Sequence, residues 1–408
     1  MTTIIYKKPK GTLDLYDNEY NKFKYYKTQL EEIFIANNGI PLETPNFELE
    51  NILLNKYGKE TENKLIFKIE NCGSDMSEKY ALRYDLTIPL ERFIIENGIK
   101  KIRRYSINKV FRRDQPSEGR YREFYQADFD IIGENNENMI NEFILLKMAM
   151  SFLKICGIID YKILINDTQN LKNILIDKIK INPNNFKDIC QTIDKLDKYK
   201  YEEIKQELQE KGLNEIQIKE LEILLNYEEP IDENTKIKFN KLKSYCDNFS
   251  FANKLFFTSN LARGLDYYNG FIFEIKVSNF KSTVISGGRY DNLIPNTTMI
   301  GISFGLSRLL GLLNYKDNEW KNLYYLTSIG KNIDFAIKLK VMAFLENKFD
   351  VKILLSDNEN SKKLVKEINY CIENKIKFMF VIGENEYANN KIILKNLENK
   401  TQEIIDLT

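Results

Sequence analysis

The chain has 408 residues, enough for two or three domains, and its 60 Lys+Arg against 59 Asp+Glu leave a net charge of +1. With no overall basic field, any nucleic acid would have to be met by local patches. His 0 excludes Ser-His-Asp and Cys-His catalysis and every His-ligated metal, so chemistry here must run on Arg, carboxylates, Tyr, backbone and Mg²⁺.

The N-terminal MTTIIYKKPKG is too poor in apolar residues for a secretory signal. No run approaches a membrane span. Cys72, Cys156, Cys190, Cys246 and Cys371 are scattered without a C-x-x-C pair and read as small apolar residues of a reduced compartment. The expectation is a soluble, cytoplasmic protein.

Asp17 to Asn38 reads as an amphipathic helix, with Tyr20, Phe23, Tyr26, Leu30, Ile33 and Phe34 at helical spacing and Asn37-Asn38-Gly39 as its stop. Ile40 to Pro45 follows as an extended strand, because each Pro disfavours helix before it. Tyr80 to Pro89 is a strand leading into a short helix, which Glu91 to Ile99 continues and Asn97-Gly98 ends.

Phe111 to Gly133, FRRDQPSEGRYREFYQADFDIIG, reads as two strands around a Pro/Gly turn. From Arg120 onward side chains should alternate between faces. One face carries Arg120, Arg122, Phe124, Gln126, Asp128 and Asp130; the other carries Tyr121, Glu123, Tyr125, Ala127, Phe129 and Ile131. The first suits a ligand with an anionic part, a flat ring and a basic part, such as a nucleotide joined to an amino acid. A solvated hairpin face with cross-strand ion pairs explains the pattern equally well.

Asn141 to Cys156 is an apolar helix, and charged helical stretches from about Leu171 to Asn253 read as an insertion. Strand-like sequence returns at Leu255–Val277 and Ser286–Asp291, before a Gly-rich stretch opening a helix at Gly301–Leu313. Ser286-Gly287-Gly288-Arg289-Tyr290-Asp291 alone reads mostly as a loop with one cation. After a linker at Asp317–Trp320, the strands Leu323–Thr327, Val351–Leu355, Phe378–Ile382 and Ile392–Leu394, separated by helices, predict a small α/β domain with a mostly parallel sheet.

In this order the motifs resemble those of the histidyl-tRNA synthetases among the class II aminoacyl-tRNA synthetases. FRRDQPSEGRYREFYQADFD is similar to class motif 2, GISFGLSRLL to motif 3 and LETPNFE, with Pro45, to motif 1. ALRYDLTIPLERF, ARGLDYYNG and SGGRYDNL resemble the family's substrate elements, IDKLDK its insertion, and FVIGENEYANNKIILKNLENKTQEI its anticodon-binding domain. The resemblance spans essentially the whole chain. It implies an α+β catalytic domain over 1–318, with an antiparallel sheet flanked by helices and a helical insertion at about 171–253. An α/β anticodon-binding domain would occupy 322–408.

The resemblance also implies roles. Arg112 would hold the ATP α-phosphate and the amino-acid carboxylate, and Arg263 would bridge those two anions; both are candidate catalytic residues. Arg120 and Arg308 would meet the triphosphate, and Phe124 would stack on adenine. Asp85, Thr87 and Gln126 would hold the substrate ammonium, while Asp130 and Tyr268, with Tyr267 alongside, would take the imidazole. The implied substrates are ATP, L-histidine and tRNA(His), with Mg²⁺ as cofactor and a homodimer as assembly. Ser307 stands where the family has Glu, which puts Mg²⁺ placement in question. Ser106 replaces a His common in eukaryotic relatives, without expected catalytic effect, and Glu118 stands where a cation would suit an RNA acceptor end. The competing reading is a catalytically inactive relative serving as a regulatory subunit or tRNA sensor.

Overall fold

The computed structural model describes all residues except 1–5, 55–64, 71–77, 118, 135–137, 198, 200, 263, 265–267, 279, 281, 292, 314–322, 331, 350, 357–363 and 375. The chain divides into two compact units, 1–315 and 316–408.

In the first unit the strands are β1 (Ile40–Pro41), β2 (Phe47–Leu49), β3 (Lys68–Ile69), β4 (Tyr80–Leu82), β5 (Ile102–Phe111), β6 (Glu123–Ile132), β7 (Tyr161–Asp167), β8 (Leu255–Phe257), β9 (Phe271–Val277), β10 (Ile285–Arg289) and β11 (Met299–Phe304). Eight of them form one sheet in the order β1-β5-β6-β11-β10-β9-β7-β8, and β2-β4-β3 form a small second sheet. Pairing is antiparallel from β5 through to β7 and parallel only at the two ends, β1 on β5 and β8 on β7.

Helices α1 (Asn18–Ala36) and α2 (Ile140–Ile155) supply the apolar cover of this sheet. Leu30 and Phe34 of α1 and Phe152 of α2 are fully buried, and Phe34 lies 5.4 Å from Phe129 and 5.7 Å from Phe304, ring centre to ring centre. Each such side chain contributes about 1.5–3 kcal/mol by leaving water. This core fixes the direction of β6, because its odd residues Tyr125, Ala127, Phe129 and Ile131 all join the helix side. The even residues are thereby committed to the opposite face.

The expected insertion is helical: α3 (Phe186–Ile193), α4 (Tyr201–Glu210), α5 (Glu215–Leu225) and α6 (Glu233–Asp247). The first three share a separate core of Ile189, Ile193, Ile204, Leu208, Ile218 and Leu221. Helix α6 instead packs Leu242 and Cys246 into the main core.

The second unit contains β12 (Leu323–Ile329), β13 (Lys352–Leu355), β14 (Phe378–Gly383), β15 (Lys391–Asn396) and β16 (Thr401–Asp406), in the order β13-β12-β14-β15-β16. The expectation of a mostly parallel sheet is corrected here. Pairing of β12 with β13 and β14 is parallel, but β14-β15-β16 is an antiparallel meander. The last strand, TQEIID, escaped the sequence reading because it is exposed almost throughout and has no apolar alternation.

Ser286–Arg289 lie in strand β10, as the strand-like reading of 286–291 expected and not as the loop that the motif taken alone suggests. Arg289 is spent on Glu142, at 2.5 Å, and on Asp291, at 3.2 Å, so its charge fastens β10 to α2. Cys156, Cys190, Cys246 and Cys371 are free thiols, and burial pushes each up to about 12. Cys72 lies outside the described residues.

Candidate active site

The uncovered face of the sheet forms a cleft of about 490 Å³. Strand β6 runs along it and presents Phe124, Gln126, Asp128 and Asp130 in alternation. The two-face reading therefore holds from Glu123 onward, where the strand begins. It fails before that point. Arg120 does line the cleft, but so does Tyr121, which strict alternation assigns to the other side. Arg122 is occupied elsewhere: its Nε donates to the Asp114 carbonyl at 3.1 Å, and its backbone N–H donates to the Gly11 carbonyl. The partner strand is also earlier than expected, since β5 ends at Phe111 and residues 112–122 form the connection. Within it Ser117 and Arg120 exchange backbone hydrogen bonds around Gly119, whose φ of +69° is left-handed. Glu118 lies outside the described residues.

Arg112 is held in the upper cleft from several sides. Its guanidinium sits 4.2 Å from the centre of the Tyr84 ring and 5.3 Å from that of Phe124. Its Nε donates to the Tyr84 carbonyl and its Nη2 to Gln126 Oε1, each at 3.1 Å. Gln126 Nε2 in turn donates to Ser303 Oγ at 2.6 Å. One polar chain thus ties the loop arginine to the floor of the cleft.

Arg308 belongs to the short helix Leu306–Leu310 that follows β11. Its Nε donates to the Gly119 carbonyl at 3.1 Å and its Nη1 to that of Thr283, which holds it in the cleft wall. Arg120 is more exposed and pairs with Asp114 at 3.1 Å. Asp85 Oδ1 accepts from the backbone N–H groups of Thr87 and Ile88, each at 3.1 Å, and so caps the helix Thr87–Asn97 while lining the cleft with Thr87.

The floor is charged and buried. Arg104 stands opposite Asp130 across β5–β6, and its Nη2 lies 3.0 Å from Asp130 Oδ2, close enough to pair without the alignment of a hydrogen bond. Arg104 is 1% exposed and Asp130 4%. The buried Tyr290 hydroxyl donates to Asp130 Oδ1. Burial raises the Asp130 carboxyl above its ordinary range, while Arg104 and Tyr290 oppose the rise. Burial, reinforced by Asp130, also lifts the Tyr290 phenol well above its usual value. Glycines make this arrangement possible. A Cβ on Gly301 would fall 2.2 Å from Asp130 Oδ1, and one on Gly264 would fall 2.6 Å from the Tyr268 ring. Tyr268 lines the cleft with its ring centre 6.5 Å from that of Tyr290.

Of the residues expected from the sequence, Asp85, Thr87, Arg112, Arg120, Phe124, Gln126, Asp130, Tyr268 and Arg308 all line this one cleft. Arg263 and Tyr267 lie outside the described residues. The sequence reading missed Arg104, Tyr290 and Ser303 and gave Asp128 no role. A signal for the first was present: Arg104, Ser106 and Asn108 put polar groups at every second position of β5. Ser106 is buried and accepts from Asn108 Nδ2 at 2.9 Å. Ser307 Oγ accepts from the Tyr125 backbone N–H at 2.9 Å, so it helps fix β6.

A family model described as histidyl-tRNA synthetase matches residues 11–309, and one described as an anticodon binding domain matches 332–408. The chain belongs to the histidyl-tRNA synthetase family. Its activity is that of the family, the ATP-dependent ligation of histidine to tRNA. The chain is 35% identical to a probable cytoplasmic histidine–tRNA ligase of Vairimorpha ceranae, covering 96% of both chains. It is 33% identical to the probable cytoplasmic ligase of Encephalitozoon cuniculi, covering 98% of this chain and 96% of that one. A histidyl-tRNA synthetase structure from Nostoc sp. PCC 7120 shares the fold at 22% identity, with a TM-score of 0.78 over 99% of this chain and 97% of the other.

Proposed function

We propose that the cleft joins L-histidine to ATP, giving histidyl-adenylate and pyrophosphate, and then passes the histidyl group to the 3′ end of tRNA(His). The observation that carries this reading is the polar chain Arg112–Gln126–Ser303, which joins a cationic, ring-lined upper cleft to an acidic floor. In the first step a carboxylate oxygen of histidine attacks the α-phosphorus, and the bond to the leaving pyrophosphate breaks. Two anions must meet, so the protein's task is to hold them in line with cations. Arg112 and Arg263 take that role, with Arg120 and Arg308 on the triphosphate and Phe124 against adenine. No general base is required, because the attacking carboxylate is already ionised, and so a chain without histidine can catalyse the step. In the second step the ribose hydroxyl attacks the histidyl carbonyl, and its proton passes to a phosphate oxygen of the departing AMP.

Asp85, Thr87 and Gln126 receive the ammonium. Asp130 and Tyr268 receive the imidazole with Tyr267 alongside, and Tyr290 is added as the group that holds Asp130. Mg²⁺ fits a protein-built cage poorly. Among the described residues no three His, Cys, Asp or Glu side chains converge as metal ligands, and the Ser307 hydroxyl oxygen accepts from the Tyr125 backbone N–H. The ion is best assigned to the ATP phosphates themselves. The catalytic domain is taken as 1–318 and the anticodon-binding domain as 322–408, with the junction outside the described residues. The protein is taken as a cytoplasmic homodimer, following the names of its relatives and the motif 1 resemblance. No helix among the described residues is long and apolar enough to cross a membrane.

The test is exchange of labelled pyrophosphate into ATP. Exchange should require L-histidine and be unsupported by the other amino acids. Exchange that is independent of histidine, or absent, would overturn the assignment.

A further inference from the structure

Asp128 has no part in the roles above, yet it sits at the centre of the floor. It shares the cleft face of β6 with Gln126 and Asp130, and it is 5% exposed. It stands opposite Ser303 on one neighbouring strand and Ser106 on the other. Its buried Oδ1 has no hydrogen-bond partner among the described residues. A buried carboxylate oxygen without a partner is costly, and it persists where a ligand supplies the missing donor.

The surrounding charges are already committed. Arg104 lies against Asp130. Arg83 spends its guanidinium on the carbonyls of Lys109, Thr44 and Pro45. Asp85 caps a helix. Among the described residues, Asp85, Asp128 and Asp130 at the floor therefore face two buried arginines, Arg83 and Arg104, both already engaged. An amino-acid ammonium supplies a further positive charge.

We propose that Asp128 is a further acidic ligand of the amino-acid substrate, pairing with its ammonium and passing a proton to solvent as that cation enters. This rests on the reading of the cleft as a histidine-activating site. Burial chiefly raises the Asp128 carboxyl to about 7, with Arg104 and the Ser303 hydroxyl opposing and Asp130 and Asp85 adding to the rise. Near neutral pH the free site therefore holds a mixture of protonated and ionised Asp128. A cation placed beside it favours the ionised form, so binding expels a proton. Histidine affinity should accordingly rise as pH increases from about 6 to about 8 and then level off, since above that range the carboxylate is already ionised.

The experiment is calorimetric titration of the full-length protein with L-histidine at pH 7, in two buffers of different ionisation enthalpy, for the parent and Asp128→Asn. The histidine dependence of pyrophosphate exchange is followed from pH 6 to 8 in both. The parent should release protons on binding. Asp128→Asn should release fewer, bind histidine about 10- to 100-fold more weakly, hold ATP within about twofold, and lose the parent's additional pH dependence. The substrate imidazole titrates alike with both proteins, so the difference between them isolates Asp128. Parent exchange with an unaltered histidine KM, pH profile and proton count in Asp128→Asn would overturn the proposal while leaving the activity intact. So would equal losses for histidine and ATP, which mark a structural role. Absence of histidine-dependent exchange in the parent would overturn both readings. If Asp128→Asn fails to fold, the same comparison is made with Asp128→Ser, and a proton count and pH profile unaltered from the parent refute the proposal.

Discussion

Single residues in the cleft are fixed by more contacts than their proposed task needs, and the contacts explain the task. Arg112 is stacked between Tyr84 and Phe124 and hydrogen-bonded to a carbonyl and an amide. A cation held this way pays little reorganisation when charge develops near it. Arg112→Ala should lower the rate of adenylate formation about 10²–10³-fold with the fold preserved. Single-turnover kinetics with saturating ATP and histidine measures this; a loss under about tenfold would show that Arg112 is not the principal cation. Legibility at this scale depended on chemistry. Gln126 and Asp130 stood out because polar groups at every second position of a strand demand a reason, whereas Arg112 was found only through its motif. Tyr290 did not, since its role depends on an acid 160 positions earlier in the chain.

At the scale of elements, the central sheet tolerates Gly301 because Asp130 needs the space. Gly301→Ala would put a methyl group 2.2 Å from Asp130 Oδ1. The expected result is a marked loss of histidine affinity with ATP affinity kept, read by calorimetry with each substrate. Unchanged histidine binding would remove Asp130 from the imidazole site. The insertion has its own fastener. Glu207 of α4 takes Lys195 at 2.8 Å, Lys211 at 3.0 Å and the Thr192 hydroxyl at 2.8 Å. Partial burial works against its charge, but bonds from Lys195, Lys211 and Thr192 outweigh it and hold the carboxyl down at about 2. A depressed acid stabilises the fold above its unfolded pKa, about 4.3, and loses that contribution as pH falls toward 2. Glu207→Gln should cost roughly 1 kcal/mol at pH 7, discounted for water's access to the group. In urea denaturation the gap between parent and variant should close as pH falls to 2; a gap that is constant with pH would mean the charge is not what stabilises.

For the whole molecule, the apolar stripe expected on α1 is consumed inside the protomer, since Phe23, Tyr26, Leu30 and Phe34 are buried. Of this helix, Tyr20 and Ile35 remain exposed and available to a subunit interface. Exposed apolar side chains in this part of the chain include Tyr16, Tyr20, Ile35, Ile40, Phe47 and Ile95. The proposed homodimer would have to draw on surface of that kind. Light scattering at micromolar concentration should give twice the 48.2 kDa of one chain. A single-chain mass would refute the dimer, and Phe47→Asp shifting the mass to that of one chain would locate the interface.

The sequence by itself determined the family, the two-unit organisation, the helical insertion and nine cleft residues. These are carried by local patterns: alternation along β6, helical spacing along α1, and motifs in a set order. It also determined that proton transfer could not rest on histidine. Only the tertiary structure decided that Arg104 and Tyr290 hold Asp130, that Arg122 and Arg289 are structural, and that one buried carboxylate oxygen of Asp128 is left without a hydrogen bond among the described residues. Those outcomes depend on which strands become neighbours. Register across β5, β6 and β11 places Arg104, Asp130 and Gly301 side by side, and burial by residues distant in sequence sets how strongly each charge is felt. The antiparallel end of the second sheet was decided in the same way, by the pairing of β16 with β15 rather than by any pattern within β16 itself.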